Sequence, residues 1–232
     1  MSLGRENGTI PTAYWDGETL VEHEVHPPVI FRAQAELFNA LMANGIAVYV
    51  VTAAAEELVR MVASDSQYGY NVPAENVIGV TTYLQNTTAS SSNSSSSSDS
   101  ATLTTSRAQI AAGTYSQEAN LDLTFGSYLS SPLTWYAGKW AGILTHIDAW
   151  RKPVLVGGDS PGSDGVMLVQ GVDPVGEEGG RKGGVRLFVN KSESAWEEWR
   201  GLVGESEEGQ RRAGVDGTAG LGWVVVRPEE IL

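Results

Sequence analysis

The sequence predicts an α/β fold in which a Rossmann-like parallel sheet is flanked by helices. Two continuous apolar runs, at 46–51 and 153–158, indicate parallel strands, because strands buried on both faces lack polar alternation. Helical apolar spacing accompanies each run, over 56–63 after the first and between Lys139 and Trp150 before the second. Strands that alternate with helices in this way are typical of parallel α/β sheets.

Local patterns predict the remaining elements. Apolar residues at helical spacing predict a helix over 32–42, which ends at the stop signal Asn44-Gly45. A further helix passes through Trp199. Three more strands are predicted, at 76–83, 185–189 and 223–226.

The composition excludes several classes of function. A formal net charge of −13 argues against nucleic acid, because a phosphate backbone requires a basic surface. The absence of cysteine excludes disulfides, thiolate metal sites and a cysteine nucleophile. No apolar run approaches the roughly 20 residues that span a bilayer. The first eight residues lack the apolar stretch of a secretory signal, and a secretory route stays compatible with a start upstream of Met1.

Polar groups suited to a phosphate and a cation stand beside the two apolar runs. Asp159 and Asp164 follow the second run in one loop, close enough to share a cation. Thr52 ends the first run, and Lys139 lies in the first turn of the helix that precedes the second. Because the carboxyl ends of parallel strands meet at one edge of a sheet, a hydroxyl, an ammonium and two carboxylates are expected to converge there.

This ordered set resembles the second, third and fourth motifs of the haloacid dehalogenase superfamily of phosphoryl-transfer enzymes. The fourth motif is matched by Gly-Gly-Asp-Ser-Pro-Gly-Ser-Asp-Gly at 157–165. The likeness is closest to members that hydrolyse phosphorylcholine. The stretches that carry it are spread over most of the length of the chain: 11–17, 41–54, 56–63, 68–71, 75–82, 119–123, 134–139 and 157–165.

The resemblance implies a phosphatase, a magnesium-dependent hydrolase of small phosphomonoesters such as phosphorylcholine. In such an enzyme an aspartate attacks phosphorus, and water then hydrolyses the aspartyl phosphate. Thr52 and Lys139 would be catalytic and would bind the phosphate together with Ala53. Asp159 and Asp164 would hold Mg²⁺, a hard cation that prefers oxygen ligands.

The resemblance also implies a trimethylammonium headgroup, which aromatic faces can hold by cation–π attraction. Tyr14, Trp15, Trp135 and Tyr136 lie in the matching stretches and are the candidates for choline binding. A packing role in the core or scaffold is the alternative for each of them.

By the same resemblance, 1–30 is a remnant of a cap domain with its linker, and 31–232 is the core domain. The core carries a low-complexity insertion at 87–100 and a loop insertion at 174–184. The first strand of the core and most of the cap are expected to be missing.

The family's first motif, an Asp-x-Asp segment with the nucleophile, has no match in the sequence. Asp16 is the only aspartate ahead of Thr52, and it sits in a turn signal. The isolated chain is therefore predicted to be inactive. A non-catalytic phosphate- or choline-binding paralogue is the alternative.

Two rival readings of short motifs stay open. Gly158 to Gly162 fits the Gly-x-Ser-x-Gly elbow of α/β-hydrolases, but those enzymes place a histidine after the serine, and the last histidine here is His146. His23 and His26 form a His-x-x-His pair without a third ligand, which favours packing over metal binding.

Overall fold

A computed structural model describes residues 10–25, 29–86, 104–116, 118, 120–175 and 183–232. The described residues form the strands β1 (Ile10–Asp16), β2 (Thr19–Val25), β3 (Val50–Ala55), β4 (Val77–Val80), β5 (Thr82–Asn86), β6 (Leu123–Leu129), β7 (Leu155–Gly158), β8 (Val185–Val189) and β9 (Trp223–Val226). They form the helices α1 (Arg32–Ala43), α2 (Glu56–Ala63), α3 (Ser106–Ala111), α4 (Ala137–His146), α5 (Pro161–Gln170) and α6 (Glu193–Arg212). No helix among these residues is long and apolar enough to cross a membrane.

The parallel strands form two ladders. β3 pairs with β4, while β7, β8 and β9 pair in that order. Two antiparallel pairs accompany them, β1 with β2 and β5 with β6. The parallel α/β class predicted from the apolar runs is therefore confirmed, and the absence of a first core strand stays a prediction.

Two apolar clusters hold the ladders against their helices. The first contains Ala35 of α1, Ala63 of α2 and Val77 of β4. The second joins Val156 of β7 to residues of α4 and α5, and Val51 of β3 packs against it. Because Val51 and Val156 share this second cluster, the carboxyl ends of β3 and β7 are brought to the same region of the molecule.

Strand β3 begins later than predicted. Residues 46–49 run into β3 without strand pairing, and the ladder starts at the pair Val50 and Val77. The segment that would face 46–49 is the 3₁₀ turn Ala74–Asn76, whose Asn76 side chain donates to the backbone oxygen of Val48 at 2.9 Å. The predicted strand 46–51 was therefore wrong in its bounds, because its partner strand is short.

The predicted strand 76–83 and the helix before β7 also needed correction. The stretch 76–83 splits at the buried Thr81 into β4 and β5, which belong to different sheets. Helix α4 ends at His146, so Trp150 lies beyond it and is 94% exposed. The carboxylate of Asp148 accepts hydrogen bonds from the N–H groups of Trp150 and Arg151, a turn that replaces further helix.

The described chain starts with an antiparallel hairpin, for which the sequence predicts only the turn at Asp16. Asp16 lies opposite Thr19 at the turn, and Gly17 takes a φ of +60°, so the turn assignment for Asp16 agrees with the structure. The predicted insertion 87–100 and most of 174–184 lie outside the described residues.

Candidate phosphate and cation site

The candidate site lies where β3 and β7 end and where α4 and α5 begin. Thr52 is in β3, Asp159 follows β7 directly, Lys139 is in the first turn of α4, and Asp164 is in the first turn of α5. This arrangement agrees with the expectation that ligand-binding groups collect at the carboxyl edge of a parallel sheet.

Thr52 is tied to the loop that leads into α4. Its backbone oxygen accepts a hydrogen bond from the hydroxyl of Thr134 at 2.6 Å, and Thr134 is fully buried. The Thr52 hydroxyl oxygen accepts from the N–H of Ala54 at 3.1 Å, which leaves its own O–H able to donate to a ligand. The neighbouring Ala53 is exposed.

Lys139 and Asp164 form a buried ion pair. The side chains are only 12% and 3% exposed, and the Lys139 ammonium donates to one carboxylate oxygen of Asp164. The other oxygen accepts from the N–H groups of Asp159 and Ser160, at 3.0 and 3.1 Å. Asp164 therefore fixes both the lysine and the backbone of the loop after β7.

Gly158 makes this arrangement possible. A Cβ atom at position 158 would come within 2.5 Å of the Asp164 carboxylate. Any larger residue would therefore push the carboxylate away from the loop that it holds. Glycine is therefore required at the end of β7 because the Asp164 carboxylate packs directly against it.

Asp159 has a different environment, because its carboxylate is 53% exposed. It forms an ion pair with Lys191, whose ammonium lies 2.8 Å from Asp159 Oδ2 and 2.8 Å from Ser160 Oγ. Asp159 lies in the loop after β7, whereas Asp164 lies in α5 and not in that loop as predicted. Each carboxylate is paired with its own lysine. The two lysines, Lys139 and Lys191, and the two aspartates together carry no net formal charge.

Lys191 is the site residue that sequence reasoning missed. It lies two residues after β8, the strand next to β7, so its position at the carboxyl edge was available as a signal. Lysines often follow strands, so this position alone does not identify Lys191 as a site residue. Its contact with Asp159, 32 residues away in sequence, does.

The predicted choline-binding residues divide into two groups. Trp135 and Tyr136 lie in the loop entering α4, with 41% and 65% of their surfaces exposed. Tyr14 and Trp15 lie on β1, whose hairpin pairs only with itself among the described strands, and both are exposed. The first pair therefore lies directly before the helix that carries Lys139, and the second pair lies on a separate element.

The short-motif alternatives gain no support from the contacts. The Ser160 hydroxyl binds Lys191 and Asp159, while His146 contacts Arg107 at 3.4 Å on the far end of α4. His23 is exposed on β2, and His26 lies outside the described residues. Within the described part of the chain, no group of three or more histidine, cysteine or acidic side chains is placed to hold a metal ion.

Comparison with known proteins identifies a relative. The chain is 48% identical over 222 residues to the phosphorylcholine phosphatase of Pseudomonas aeruginosa, a match that covers 96% of this chain and 58% of the relative. The chain therefore spans less than two thirds of the length of that relative. This identity confirms the likeness to proteins that act on phosphorylcholine given by the motifs.

A solved structure supports the fold alone. A conserved protein of unknown function from Anaerococcus prevotii matches with a TM-score of 0.50 at 20% identity, over 85% of this chain and 42% of that one. No family model matches the chain.

Proposed function

We propose that this chain forms the phosphate- and cation-binding core of a magnesium-dependent phosphomonoesterase that acts on phosphorylcholine or a similar small ester. The observation that carries the proposal is the Lys139 ammonium, buried in the first turn of α4 and held there by Asp164. The likeness to phosphorylcholine phosphatase supports the substrate class.

The residues at this edge fit Mg²⁺. The Asp159 carboxylate is half exposed and already attracts a cationic group, so its oxygens are accessible to a hard cation. Asp164, predicted as a second Mg²⁺ ligand, is buried with both oxygens engaged, so we assign it instead to holding the Asp159 backbone in place. This division suits Mg²⁺, which takes one or two carboxylates and completes its sphere with waters and phosphate oxygens.

The chain's own groups would bind and neutralise the phosphoryl group. The Lys139 ammonium offsets charge on one phosphoryl oxygen, and the Thr52 O–H donates to another. Asp164 keeps the ammonium in one position, so little reorganisation is needed when charge develops. When bound at Asp159, Mg²⁺ supplies further charge neutralisation on the phosphoryl oxygens.

The reaction itself needs a nucleophile. An aspartate carboxylate attacks phosphorus, the bond from phosphorus to the choline oxygen breaks, and that oxygen leaves with a proton. Water then cleaves the aspartyl phosphate and restores the carboxylate, with release of inorganic phosphate.

We infer that this aspartate is not among the described residues. Asp65, Asp148, Asp173 and Asp216 each follow a helix, at the edge of the sheet opposite to the site. Asp122 directly precedes β6, which pairs with β5 and not with β3 or β7. Asp16 closes the hairpin turn. The described residues therefore assemble the phosphate-binding half of the reaction and leave covalent attack to another segment.

A second candidate function is a non-catalytic phosphate- or choline-binding paralogue. It is favoured by the same observation, because the described site can bind a phosphate monoester without cleaving it. Turnover decides between the two candidates.

Phosphate binding and phosphatase activity of the purified chain test the proposal. With Mg²⁺ present, calorimetry should detect inorganic phosphate binding, and Lys139→Met should weaken it at least tenfold through loss of a partly buried charge-assisted contact. Lys152→Met removes the same charge from an exposed lysine before β7 and should leave the affinity unchanged.

Turnover of phosphorylcholine should appear only when the part of the Pseudomonas relative that this chain does not match is joined to it. Equal phosphate affinity of the wild type and Lys139→Met would refute the proposed site. Absence of turnover in the joined protein, with phosphate binding intact, would select the non-catalytic paralogue.

A further inference from the structure

Lys191 stands where a cation would meet Asp159. Its ammonium is 2.8 Å from Asp159 Oδ2, and both side chains are about half exposed, at 47% and 53%. The pair is thus open to solvent ions on the side away from the protein. A divalent cation that approaches this oxygen would meet an ammonium already in place.

The backbone on either side of Lys191 is fixed. The N–H of Asn190 donates to the oxygen of Val226 in β9 at 2.7 Å. The hydroxyl of Ser192 accepts from the N–H of Ala195 at 3.1 Å and caps α6. Only the side chain of Lys191 is therefore able to move, and it is long and flexible.

The ammonium also has a second acceptor. The Ser160 hydroxyl lies 2.8 Å from Lys191 Nζ, so the lysine can give up the carboxylate without losing every hydrogen bond. Meanwhile the local charge is balanced, because Lys139 and Lys191 already offset Asp159 and Asp164. Addition of a divalent cation without movement of Lys191 would place like charges within a few ångströms of each other.

We propose that Lys191 is a positioning residue that holds the Asp159 carboxylate in the cation-free site and competes with the divalent cation for it. Cation binding displaces the ammonium from the Asp159 carboxylate and leaves it hydrogen-bonded to the Ser160 hydroxyl. The inference rests on the proposed cation role of Asp159, and it adds a residue that sets how tightly the site takes the cation.

The test is direct binding of Mn²⁺, followed by the loss of the free-ion signal in electron paramagnetic resonance. Lys191→Met should tighten Mn²⁺ binding roughly two- to fivefold, the factor expected when an exposed competing ion pair is removed. Lys191→Arg keeps the competing charge and should retain the wild-type affinity. Lys152→Met is the matched control, because it changes the net charge equally at an exposed lysine far along the chain.

Asp159→Asn separates the two levels of the inference. It should abolish Mn²⁺ binding at this site. Equal affinity of Asp159→Asn and the wild type would overturn the cation role of Asp159 and the Lys191 inference with it. Binding that is lost in Asp159→Asn but is no tighter in Lys191→Met than in Lys152→Met would overturn the Lys191 inference alone.

Discussion

Lys139 and Asp164 join the first turns of two consecutive helices, α4 and α5, through one buried ion pair. The amino-terminal end of a helix carries a partial positive charge, so Asp164 is well placed and Lys139 is not. A lysine at an unfavourable position, held by a buried partner, agrees with the proposed role of the ammonium in phosphate binding. The same pair should therefore dominate both local stability and phosphate binding.

The two halves of this pair should differ in their effect on the free energy of unfolding. Asp164→Asn leaves an ammonium that is 12% exposed without its counter-charge and should cost about 3–5 kcal/mol. Lys139→Met should cost less, because the Asp164 carboxylate keeps its hydrogen bonds from the N–H groups of Asp159 and Ser160. Urea unfolding followed by tryptophan fluorescence measures both.

The double variant Lys139→Met/Asp164→Asn completes the cycle. Its cost should fall short of the sum of the single costs by about 1–3 kcal/mol, since the interaction is lost only once. Strict additivity would show that the ion pair does not contribute in solution.

Thr134→Val should loosen the link between β3 and the loop before α4. The variant removes the hydroxyl that donates to the Thr52 oxygen at 2.6 Å, at a cost of about 1–3 kcal/mol for a buried acceptor left unpaired. Thr134→Ser keeps the hydroxyl and loses a methyl group, which costs a comparable ~0.8 kcal/mol.

Stability alone would not distinguish these two variants, but phosphate affinity should. We expect weaker phosphate binding for Thr134→Val and near wild-type binding for Thr134→Ser, because only the valine releases Thr52. Equal affinities would mean that the hydrogen bond positions no ligand-binding group.

Much of the architecture could be predicted because it depends on local pattern. The strands 185–189 and 223–226 and the helix 56–63 match the structure residue for residue. Lys139 and Asp159 could be placed because the end of a strand and the start of a helix fix where a side chain lies relative to the sheet.

The features that sequence reasoning missed depend on long-range contacts. Lys191 belongs to the site only because it contacts Asp159, which is 32 residues away in sequence. The hairpin of β1 and β2 pairs exposed strands that bury no apolar face, so it has no apolar pattern to predict it. Arg186 lies in a strand read as apolar, yet it is 1% exposed. No local sequence pattern predicts that this arginine is buried, because its hydrogen-bond partners are carbonyl groups of other segments.

The stability of the folded chain should depend on the protonation of His146. Burial lowers the pKa of His146, the neighbouring Arg107 lowers it further, and Glu56 opposes them. The unfolded chain therefore takes up the proton first as the pH falls below about 6.5. Stability should be full above that pH and should be lost as the pH falls through the lower folded-state pKa.

Urea unfolding between about pH 5 and pH 8 tests this dependence. His146→Gln should flatten the loss of stability below about pH 6.5, where the histidine titrates in the unfolded chain. His23→Gln, at an exposed position on β2, is the control for removal of a histidine. An unchanged slope in His146→Gln would contradict the assignment.

Arg186→Met should be among the most destabilising single changes in the chain. The guanidinium donates to the carbonyl groups of Leu168 and Val169 in the last turn of α5, at 2.8 Å each, and to those of Thr218 and Leu221 before β9, at 3.0 and 2.5 Å. The carbonyl groups at a helix end have no partner within the helix, so Arg186 completes α5. Methionine fills the space but removes all four hydrogen bonds, and among the described residues only the Thr218 oxygen keeps another donor, the N–H of Leu221 at 3.1 Å. The expected cost is about 3–5 kcal/mol.

Arg186→Lys distinguishes charge from geometry. Lysine keeps the positive charge, but its single ammonium cannot reach four carbonyl groups in two separate segments, so we expect most of the loss to remain. Hydrogen exchange should show the last turn of α5 opening in both variants, while the Asp164 end of the same helix stays protected. If Arg186→Met lowered the free energy of unfolding by less than about 1 kcal/mol, the contribution of one ordinary hydrogen bond, Arg186 would not be what holds these segments together.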